Sequence, residues 1–335
     1  MKISDRGYWV SFHFYWQSIV HYFYYSAKFR SFTFFTASNP AIEMGGMLDD
    51  NKEDVYSLLP QEYLPVTQLL TKYDLTAEDL DQWALSFPLI VKPNIGLKGF
   101  KVAKVENLDE LNTYLRKQDK DREFLLQEYL DYKKEYSLLY YRVEDGRRSG
   151  ITSLIEKSYP SVIGDGNSTL SALIDGYKNS YVDMDSVKLK WSSMLDQVIP
   201  DGKEIILHRI GNYSRGSKFH SMQDQIDDEL ILCTDRLFKD VSGIDFCRVD
   251  FKSDCLEGYK TGAFKILEVN GAKSEPLHTY DKKHSFWDNV KTIVIHWKIM
   301  ASIVSYRRKK DAYVFPSTRR GLKSLFAIKK VTKSA

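Results

Sequence analysis

The chain has 335 residues, a length that suits two or three small lobes. Of these residues 43% are hydrophobic and 28% charged, a composition typical of soluble globular proteins. Its formal net charge of +3 is uneven, because a basic C-terminal end leaves a mildly acidic body, and this argues against a basic nucleic-acid-binding protein. Three cysteines without CxxC or Cys/His metal spacing exclude a disulfide framework and favour a reducing, cytoplasmic compartment, with any metal held by oxygen ligands.

The first segment, residues 1–86, is rich in aromatic side chains and is predicted to be mostly helical. Polar residues such as His13 and Gln17 interrupt the apolar run from Tyr8 to Tyr25. This run falls short of the roughly 20 apolar residues that cross a bilayer, and it lacks the cleavage pattern of a signal peptide. We favour an aromatic helix packed on the body, with a helix lying on a membrane surface as the alternative.

Short elements are expected between this helix and the first predicted strand. Gly45-Gly46 is interpreted as a structural turn, and the alternative is that it borders a binding site. Helical stretches are predicted to reach about Tyr73. A further helix is predicted to begin near Thr76, because acidic residues fill its first turn.

From Phe87 onwards the pattern changes to short strands separated by turns. The predicted strands are 88–92, 101–105, 124–129, 135–143, 150–157, 247–252 and 264–270. The predicted helices are 107–117, 168–178, 223–240 and 286–306. A turn is predicted at Asp145-Gly146. The mixture indicates an α+β or α/β fold without internal repeats.

Two of these strands carry polar residues that alternate with apolar ones. Arg248 and Asp250 point to one face of their strand, and Glu268 and Asn270 do the same on the next. If the two strands pair as a hairpin, two acids, one amide and one arginine share a patch. Such oxygen donors suit Mg²⁺ with nucleotide phosphates. The alternative is an ordinary strand with its polar side outward.

A second candidate cluster begins at Lys92, which ends an apolar strand and precedes a loop containing Gly96, Lys98 and Gly99. A glycine-rich hairpin lets backbone N–H groups approach phosphate oxygens, and a lysine at its edge supplies positive charge. A plain hairpin with an exposed lysine is the alternative.

A third element is a strand that ends in a linker. Gln127, Glu128 and Leu130 would offer backbone groups to an adenine edge. Glu135 follows and could bind the ribose hydroxyls. This element is a weak signal by itself, and it is the order of the three elements along the chain that points to nucleotide binding.

With these elements in this order, residues 87–281 resemble the ATP-grasp superfamily, and most closely its carboxylate–amine ligases such as D-alanine–D-alanine ligase and cyanophycin synthetase. The resemblance implies two small α+β lobes that clasp ATP. The segment 162–170 looks like the VxGDGxxT segment of cyanophycin synthetase. Residues 212–216 resemble an N-x-S-x-G loop of these ligases, which makes Arg215 a candidate phosphate contact; a surface turn is the alternative.

The resemblance implies a role for each candidate residue. Lys92 would contact phosphate, and the loop with Gly96, Lys98 and Gly99 would cover the phosphates. Adenine would be bound by Gln127, Glu128 and Leu130, and ribose by Glu135. Arg248 would stabilise the transferring phosphate, and the metal ligands would be Asp250, Glu268 and Asn270, with Glu268 bridging two ions.

The function implied is an ATP-dependent ligase that uses two Mg²⁺ ions, with Mn²⁺ as a substitute, and forms an amide through an acyl phosphate. Its partners would be a small-molecule carboxylate and an amine, such as amino acids or peptides, and not a nucleic acid. The alternatives are a kinase on the same fold and a non-catalytic nucleotide-binding scaffold. Relatives are often dimers or tetramers, but this is only an analogy, and the sequence does not determine the oligomeric state.

The chain therefore divides into an aromatic segment (1–86), an ATP-grasp domain (87–305, with lobes 87–135 and 136–305) and a basic tail (306–335). Where relatives usually begin with an α/β lobe of about a hundred residues, this chain has the aromatic segment instead. The tail contains ten Lys or Arg residues and one acid, which leaves about −6 on the body. It is expected to be solvated and partly disordered, and the alternative is an arm for anionic lipid or an acidic partner.

Overall fold

The computed structural model describes residues 6–48, 51–71, 73–96, 99–119, 122–144, 147–179 and 181–333. Its helices are α1 (Arg6–Phe29), α2 (Lys52–Ser57), α3 (Ala77–Gln82), α4 (Leu108–Arg116), α5 (Leu170–Asp175), α6 (Met184–Lys190), α7 (Asp228–Leu237), α8 (Leu256–Lys260), α9 (Phe286–Lys310) and α10 (Thr318–Lys333). Its strands are β1 (Thr67–Leu69), β2 (Leu89–Pro93), β3 (Ala103–Val105), β4 (Phe124–Glu128), β5 (Lys134–Val143), β6 (Arg148–Ser158), β7 (Ser161–Ile163), β8 (Glu204–Ile206), β9 (Lys218–Ser221), β10 (Phe246–Ser253) and β11 (Phe264–Asn270). This combination of helices and antiparallel sheets confirms the predicted α+β class.

The first lobe is a four-stranded antiparallel sheet in the order β1-β4-β2-β3. Leu89 and Val91 of β2 are fully buried, because alternate residues of a strand point to the same face. They belong to one core cluster with Leu111 and Leu115 of α4. Asn107 caps α4, as predicted, by accepting a backbone hydrogen bond at 2.9 Å. The sheet and this helix fix where β2 ends, and therefore where Lys92 lies.

The second lobe is a five-stranded antiparallel sheet in the order β11-β10-β5-β6-β9. The predicted hairpin is confirmed, since β10 pairs directly with β11. Arg248 lies opposite Asn270, and Asp250 lies opposite Glu268. Directly opposed residues of an antiparallel pair project from the same face, so the four polar side chains share one surface. The rest of the sheet contributes to a hydrophobic core with α7 and α8.

A small two-stranded sheet of β7 and β8, with α5 and α6, forms a compact unit inserted between β6 and β9. Its own core consists of Val162, Leu170, Ile174, Val182, Val187, Ile199, Ile205 and Leu207. The helix predicted over 168–178 is shorter in the structure. Thr169, not Ser168, is its N-cap, and Gly176 follows its last residue.

The aromatic segment packs on the second lobe through α1 and α9. The rings of Tyr25 and Trp297 stack with their centroids 6.2 Å apart. Phe29, Phe34 and Phe246 are buried in the same cluster. The predicted packing of an aromatic helix on the body is therefore confirmed. In the described part of the chain, no helix has the length and apolar character needed to cross a membrane.

One prediction about the residues before 87 is wrong. Helical structure was expected up to about Tyr73, but Thr67–Leu69 forms β1, which pairs with β4 in the first sheet. That sheet therefore begins before residue 87, the predicted start of the domain. The strand has only three residues, which is too short for a recognisable alternation, and its hydrogen-bond partners come from a distant strand. The helix predicted near Thr76 is present and has a capping box.

Two predictions about the later helices are also corrected. The predicted helix 223–240 is divided, because Asp227 caps α7 with a hydrogen bond from Leu230 N at 2.8 Å. The basic tail was expected to be solvated and partly disordered. Most of its residues from 307 to 326 are exposed, but the tail is helical, since α9 continues to Lys310 and Thr318–Lys333 forms α10. Thr33 Oγ1 donates a hydrogen bond to the carbonyl of Pro316 at 2.5 Å, which holds the start of this helix against the aromatic segment. The turn predicted at Asp145-Gly146 lies outside the described residues.

Asn39 joins the aromatic segment to β10 through four hydrogen bonds. Its Nδ2 donates to the carbonyls of Gly45 at 3.0 Å and Phe246 at 2.8 Å. Its Oδ1 accepts from the backbone N–H groups of Asp245 at 3.0 Å and Phe246 at 2.9 Å. The side chain is fully buried and uses all four of its bonding positions. It therefore ties two segments that are about two hundred residues apart in sequence.

The Gly45-Gly46 turn is a structural element, as predicted. The carbonyls of Gly45 and Gly46 accept backbone hydrogen bonds from Ala272 at 2.9 Å and Lys273 at 3.1 Å. Gly45 has a φ of +64°, and a Cβ there would lie 2.8 Å from the Cα of Thr36. Only glycine fits this position. Through these two hydrogen bonds the turn holds the loop that follows β11 in place.

We expect Asn39→Ala to lower the free energy of unfolding by roughly 2 to 4 kcal/mol, because it leaves several buried backbone groups without partners. Urea denaturation would measure this change. The control is Asn167→Ala, since the Nδ2 of exposed Asn167 makes a single hydrogen bond, to the carbonyl of Asp165 at 3.3 Å. Equal losses in the two variants would contradict a stabilising role for Asn39.

Candidate active site

A cleft of about 1600 Å³ lies between the four-stranded and five-stranded sheets. Both predicted clusters open into it. Among its lining residues are Lys92, Gly96, Gly99, Gln127, Glu128, Leu130, Glu135, Arg248, Asp250, Glu268 and Asn270. The structure thus brings together side chains that are up to 178 positions apart, as the sequence analysis required.

Lys92 is buried at the end of β2 and has only neutral hydrogen-bond partners among the described residues. Its Nζ donates to Tyr56 Oη at 2.8 Å, Gln127 Oε1 at 3.0 Å and the carbonyl of Leu267 at 3.5 Å. Burial lowers the pKa of Lys92 to about 8, although the charge of Glu268 acts in the opposite direction. The ammonium group therefore lies in a desolvated position where an anionic ligand would stabilise it.

Asp250 lies at the centre of a buried group of charges. Arg248 donates to its two oxygens at 3.0 and 3.1 Å, Lys157 Nζ lies 3.6 Å away, and Ser137 also donates to it. Burial raises the pKa of this carboxyl, but the charges of Arg248 and Lys157 outweigh that effect and lower the pKa to about 2. Asp250 is consequently an anion at every physiological pH.

The set of Asp250, Glu268 and Asn270 fits a hard divalent cation by its chemistry, since two carboxylates and an amide are oxygen donors of the kind that Mg²⁺ prefers. The Nδ2 of Asn270 is buried and has no hydrogen-bond partner among the described residues, so this amide is not committed to another group. The Glu268 side chain is 36% exposed and is the accessible carboxylate. In the described chain, no group of three or more His, Cys, Asp or Glu residues could hold a metal; here the third donor is an amide.

Glu135, the predicted ribose ligand, lies next to the charge group around Asp250. Its two carboxylate oxygens accept hydrogen bonds from Lys157 Nζ at 2.8 Å and Tyr159 Oη at 2.6 Å. A Cβ on Gly211 would lie 2.2 Å from Glu135 Oε1. The backbone of the 208–212 segment therefore runs directly over this carboxylate. The role of Glu135 in ribose binding stays a prediction.

The end of β4 and the residues that follow it, 127–130, are buried or half-buried. The Nε2 of Gln127 donates to Thr67 Oγ1 at 2.7 Å, while its Oε1 accepts from Lys92, so this side chain positions the lysine. The carbonyl of Leu130 accepts from Lys252 at 3.0 Å. Glu128 lies between them and lines the cleft. Adenine binding by this linker stays a prediction.

The glycine-rich loop reaches across the cleft. Gly96 and Gly99 line it, and a Cβ on Gly99 would lie 2.6 Å from Ile210 Cγ2. Gly99 has a φ of +67°, which favours glycine. The loop thus touches the 208–212 segment on the other side. Lys98, a predicted phosphate ligand, lies outside the described residues.

Arg215 is placed differently from the other candidates. The neighbouring residues Asn212 and Ser214 line the cleft, whereas Arg215 is not among the lining residues. The pKa of Asp183 is lowered mainly by hydrogen bonds from Ser186, and the charge of Arg215 adds to this effect. The structure does not bring Arg215 to the other candidate residues, and its contact with phosphate stays a prediction.

The sequence analysis missed three side chains, two that line the cleft and one, Tyr56, that lies behind it as a partner of Lys92. Lys52 of α2 lies 3.8 Å from Glu268 Oε1 and donates to the carbonyl of Gly96 at 3.2 Å. Tyr56 accepts the hydrogen bond of Lys92. Lys157 stands opposite Glu135 in the β5–β6 ladder and could have been found from that register, because residues opposite in a hairpin share a face. No pattern in the sequence around α2 indicates the two others.

Two lobes that face each other across this cleft, one with a lysine and a glycine-rich loop and one with an acidic strand pair, define an ATP-grasp fold. Residues 49–152 match the family model of the RimK-like ATP-grasp domain. This match confirms the resemblance to the ATP-grasp superfamily that the sequence motifs indicated.

Solved structures of ligases are similar to parts of this chain. A bifunctional glutathione synthetase from Pasteurella multocida is 15% identical with a TM-score of 0.39, over 74% of this chain and 36% of that one. D-alanine–D-alanine ligase from Bacillus anthracis is 18% identical with a TM-score of 0.42, over 81% of this chain and 70% of that one. VanG D-Ala:D-Ser ligase from Enterococcus faecalis is 15% identical with a TM-score of 0.42, over 78% of this chain and 62% of that one.

This chain therefore spans little more than a third of the glutathione synthetase. At these identities and TM-scores, the likenesses add nothing to the family-model match. No curated protein matches the chain.

We expect the affinity for ADP to fall by more than about tenfold between pH 7.5 and 9.5, because Lys92 loses its proton as the pH rises through its pKa of about 8. Isothermal titration calorimetry across this range would measure the change. In Lys92→Met the affinity should be lower and should not follow this titration. A pH-independent affinity in the unmodified protein would contradict binding of phosphate by this ammonium group.

Proposed function

We propose that the protein is an ATP- and Mg²⁺-dependent ligase that activates a carboxylate as an acyl phosphate and joins it to an amine. One observation carries this proposal: Lys92 and the strand pair with Arg248, Asp250, Glu268 and Asn270 open into a single cleft. Phosphoryl transfer depends mainly on positioning and charge neutralisation, and this cleft offers both.

Several cations of the cleft would each contribute to binding of the triphosphate. Lys92 is buried and its hydrogen-bond partners in the described chain are all neutral, so its charge is available to a phosphate. Lys52 lines the cleft with its Nζ 3.8 Å from Glu268 Oε1. Magnesium, held by Asp250, Glu268 and Asn270, would neutralise phosphate charge when bound. In this proposal the lysines bind the phosphates of the nucleotide, and the acidic strand pair binds the metal.

In the proposed reaction, a carboxylate oxygen of the acid substrate attacks the γ-phosphorus of ATP, and the bond to the β–γ bridging oxygen breaks to release ADP. An amine then attacks the acyl carbon, and phosphate leaves as the amide forms. Arg248 faces the cleft from the middle of β10 and would stabilise the charge on the transferring phosphoryl group. Burial lowers the pKa of Arg248, but the charge and hydrogen bonds of Asp250 outweigh that effect, with smaller contributions from Glu268 and Glu275, and the pKa is raised.

Two further features support a reaction with two ligands. The cleft volume of about 1600 Å³ exceeds the roughly 300–1,000 Å³ of a typical single-ligand pocket. The contact of Gly99 with Ile210 brings the glycine-rich loop over the site, where it would exclude water. Such exclusion protects an acyl phosphate from hydrolysis.

We expect the protein to produce ADP, free phosphate and a new amide when it is supplied with ATP, Mg²⁺ and a mixed pool of amino acids and short peptides. Mass spectrometry of the products and a phosphate assay would detect them. A stable phosphate ester in place of the amide would indicate a kinase, and the absence of ATP consumption with every acid and amine supplied would favour a non-catalytic nucleotide-binding scaffold.

We expect Glu268→Gln to lower ATP turnover on the order of a hundredfold or more, because it removes charge from the accessible metal ligand. Its melting temperature should stay close to that of the unmodified protein, since this side chain is partly exposed. The matched control is Glu257→Gln, at an acid that is 67% exposed on α8. Equal turnover in Glu268→Gln and the control would contradict the proposed metal site.

A further inference from the structure

The outward face of α1 carries a continuous row of apolar side chains. Trp16, Ile19, Val20, Phe23 and Tyr24 are each about half exposed or more, with Trp16 at 59%, Phe23 at 57% and Tyr24 at 61%. Their spacing of three, four, seven and eight residues places them on one side of the helix. We call these five residues the aromatic face.

The aromatic face is distinct from the side of α1 that packs on the protein. Tyr25 and Phe29 are buried, and His21 and Tyr25 stack on Trp297 of α9 at centroid distances of 6.2 Å. The helix therefore buries one apolar side and leaves the other in water. Single exposed apolar residues are common on protein surfaces, but a contiguous row marks an interaction site.

Helix α9 presents a second exposed row beside α1. Trp287, Lys291, Ile295 and Lys298 follow one another at helical spacing and are all exposed. The row alternates between large apolar and basic side chains. The one acid of α9, Asp288, accepts hydrogen bonds from the capping residue Ser285. The exposed row from 291 to 298 thus carries positive charge and no negative charge.

The charge near the aromatic face is also positive. Residues 6–42 contain no Asp or Glu, while Lys28 and Arg30 at the end of α1 are exposed. Helix α10 is held against this end, since a Cβ on Gly321 would lie 3.3 Å from Thr33 Cγ2. Its exposed Phe326 adds a further ring. A nearby acid, Glu43, is paired with Arg320 at 3.2 Å.

We propose that this surface binds an anionic lipid bilayer, with the aromatic face inserted at the interface and the surrounding lysines and arginines on the headgroups. Tryptophan and tyrosine suit that boundary, because their rings are apolar and their polar atoms reach water. An exposed apolar helix face flanked by basic residues, which here come mostly from neighbouring segments, suits a position in the interface plane. The proposal concerns the outer side of α1 and does not depend on the proposed ligase activity.

A second copy of the chain fits this surface less well. In a two-fold symmetric dimer the same patch meets itself, which would bring two positively charged patches together. Like charges across an interface are unfavourable. An anionic surface instead offers the complementary charge to every basic residue of the patch.

The test is sedimentation of the full chain with vesicles of phosphatidylcholine alone or mixed with phosphatidylserine. We expect binding to the mixed vesicles that weakens as the salt concentration rises, because salt screens these charges. Binding to phosphatidylcholine alone should be at least about tenfold weaker. Equal binding to both vesicles, or to neither, would overturn the proposal.

Variants locate the surface. Phe23→Glu should weaken binding to the mixed vesicles by at least about tenfold, since it places a charge in the apolar boundary. Lys28→Glu and Lys298→Glu should each weaken it by about fivefold or more. The controls are Leu189→Glu, at a residue that is 77% exposed on α6, and Lys239→Glu, at an exposed lysine after α7; neither should change binding.

The same variants decide between lipid and protein as the occupant. Melting temperature and ADP binding should be unchanged in Phe23→Glu, which shows that the cleft is intact. Light scattering should give the same molar mass for this variant and the unmodified protein. A dimer that Phe23→Glu converts to a monomer would assign the aromatic face to self-association and overturn the proposal.

Discussion

The candidate site depends on one group of buried charges, formed by Glu135, Lys157, Arg248 and Asp250 on three adjacent strands. Each cation lies against at least one carboxylate, so the four charges balance. Removing one partner of such a group leaves a buried charge uncompensated, which costs several kcal/mol. A one-residue slip of β10 would turn two of the four away from the others. The charge group therefore fixes the register of the sheet that carries the metal-binding candidates.

Lys92 is the counterpart of this group on the other lobe, and its environment is the opposite. Lys157 is buried among carboxylates, and although burial lowers its pKa, the charges of Asp250 and Glu135 outweigh that effect and raise it. Lys92 is buried among neutral groups, and its pKa falls to about 8. The two lysines of the cleft therefore suit different functions. Lys157 neutralises carboxylates of the protein itself, whereas Lys92 would be stabilised by an anionic ligand.

The parts of the fold that follow from short-range patterns could be predicted from the sequence. The alternation in β10 and β11 placed Arg248, Asp250, Glu268 and Asn270 on one face, and Asn107 marked the start of α4. The position of Lys52 could not be predicted, because it depends on how α2 packs between the lobes and not on any local period. Strand β1 could not be predicted either, because a strand of three residues depends on pairing with its partner β4. Glu135 was found, but its bonds to Lys157 and Tyr159 depend on tertiary contacts.

The order of strands in the larger sheet has a practical consequence. Residues 49–152, which the family model matches, include β5 and only the first part of β6, whereas β10 and β9, the outer neighbours of this hairpin, come from beyond residue 217. A shortened protein limited to that range would present the side of β5 as an open edge, with its backbone N–H and C=O groups unpaired. Such edges recruit strands from other molecules. Recombinant fragments should therefore retain the chain at least to Asn270, or they will aggregate.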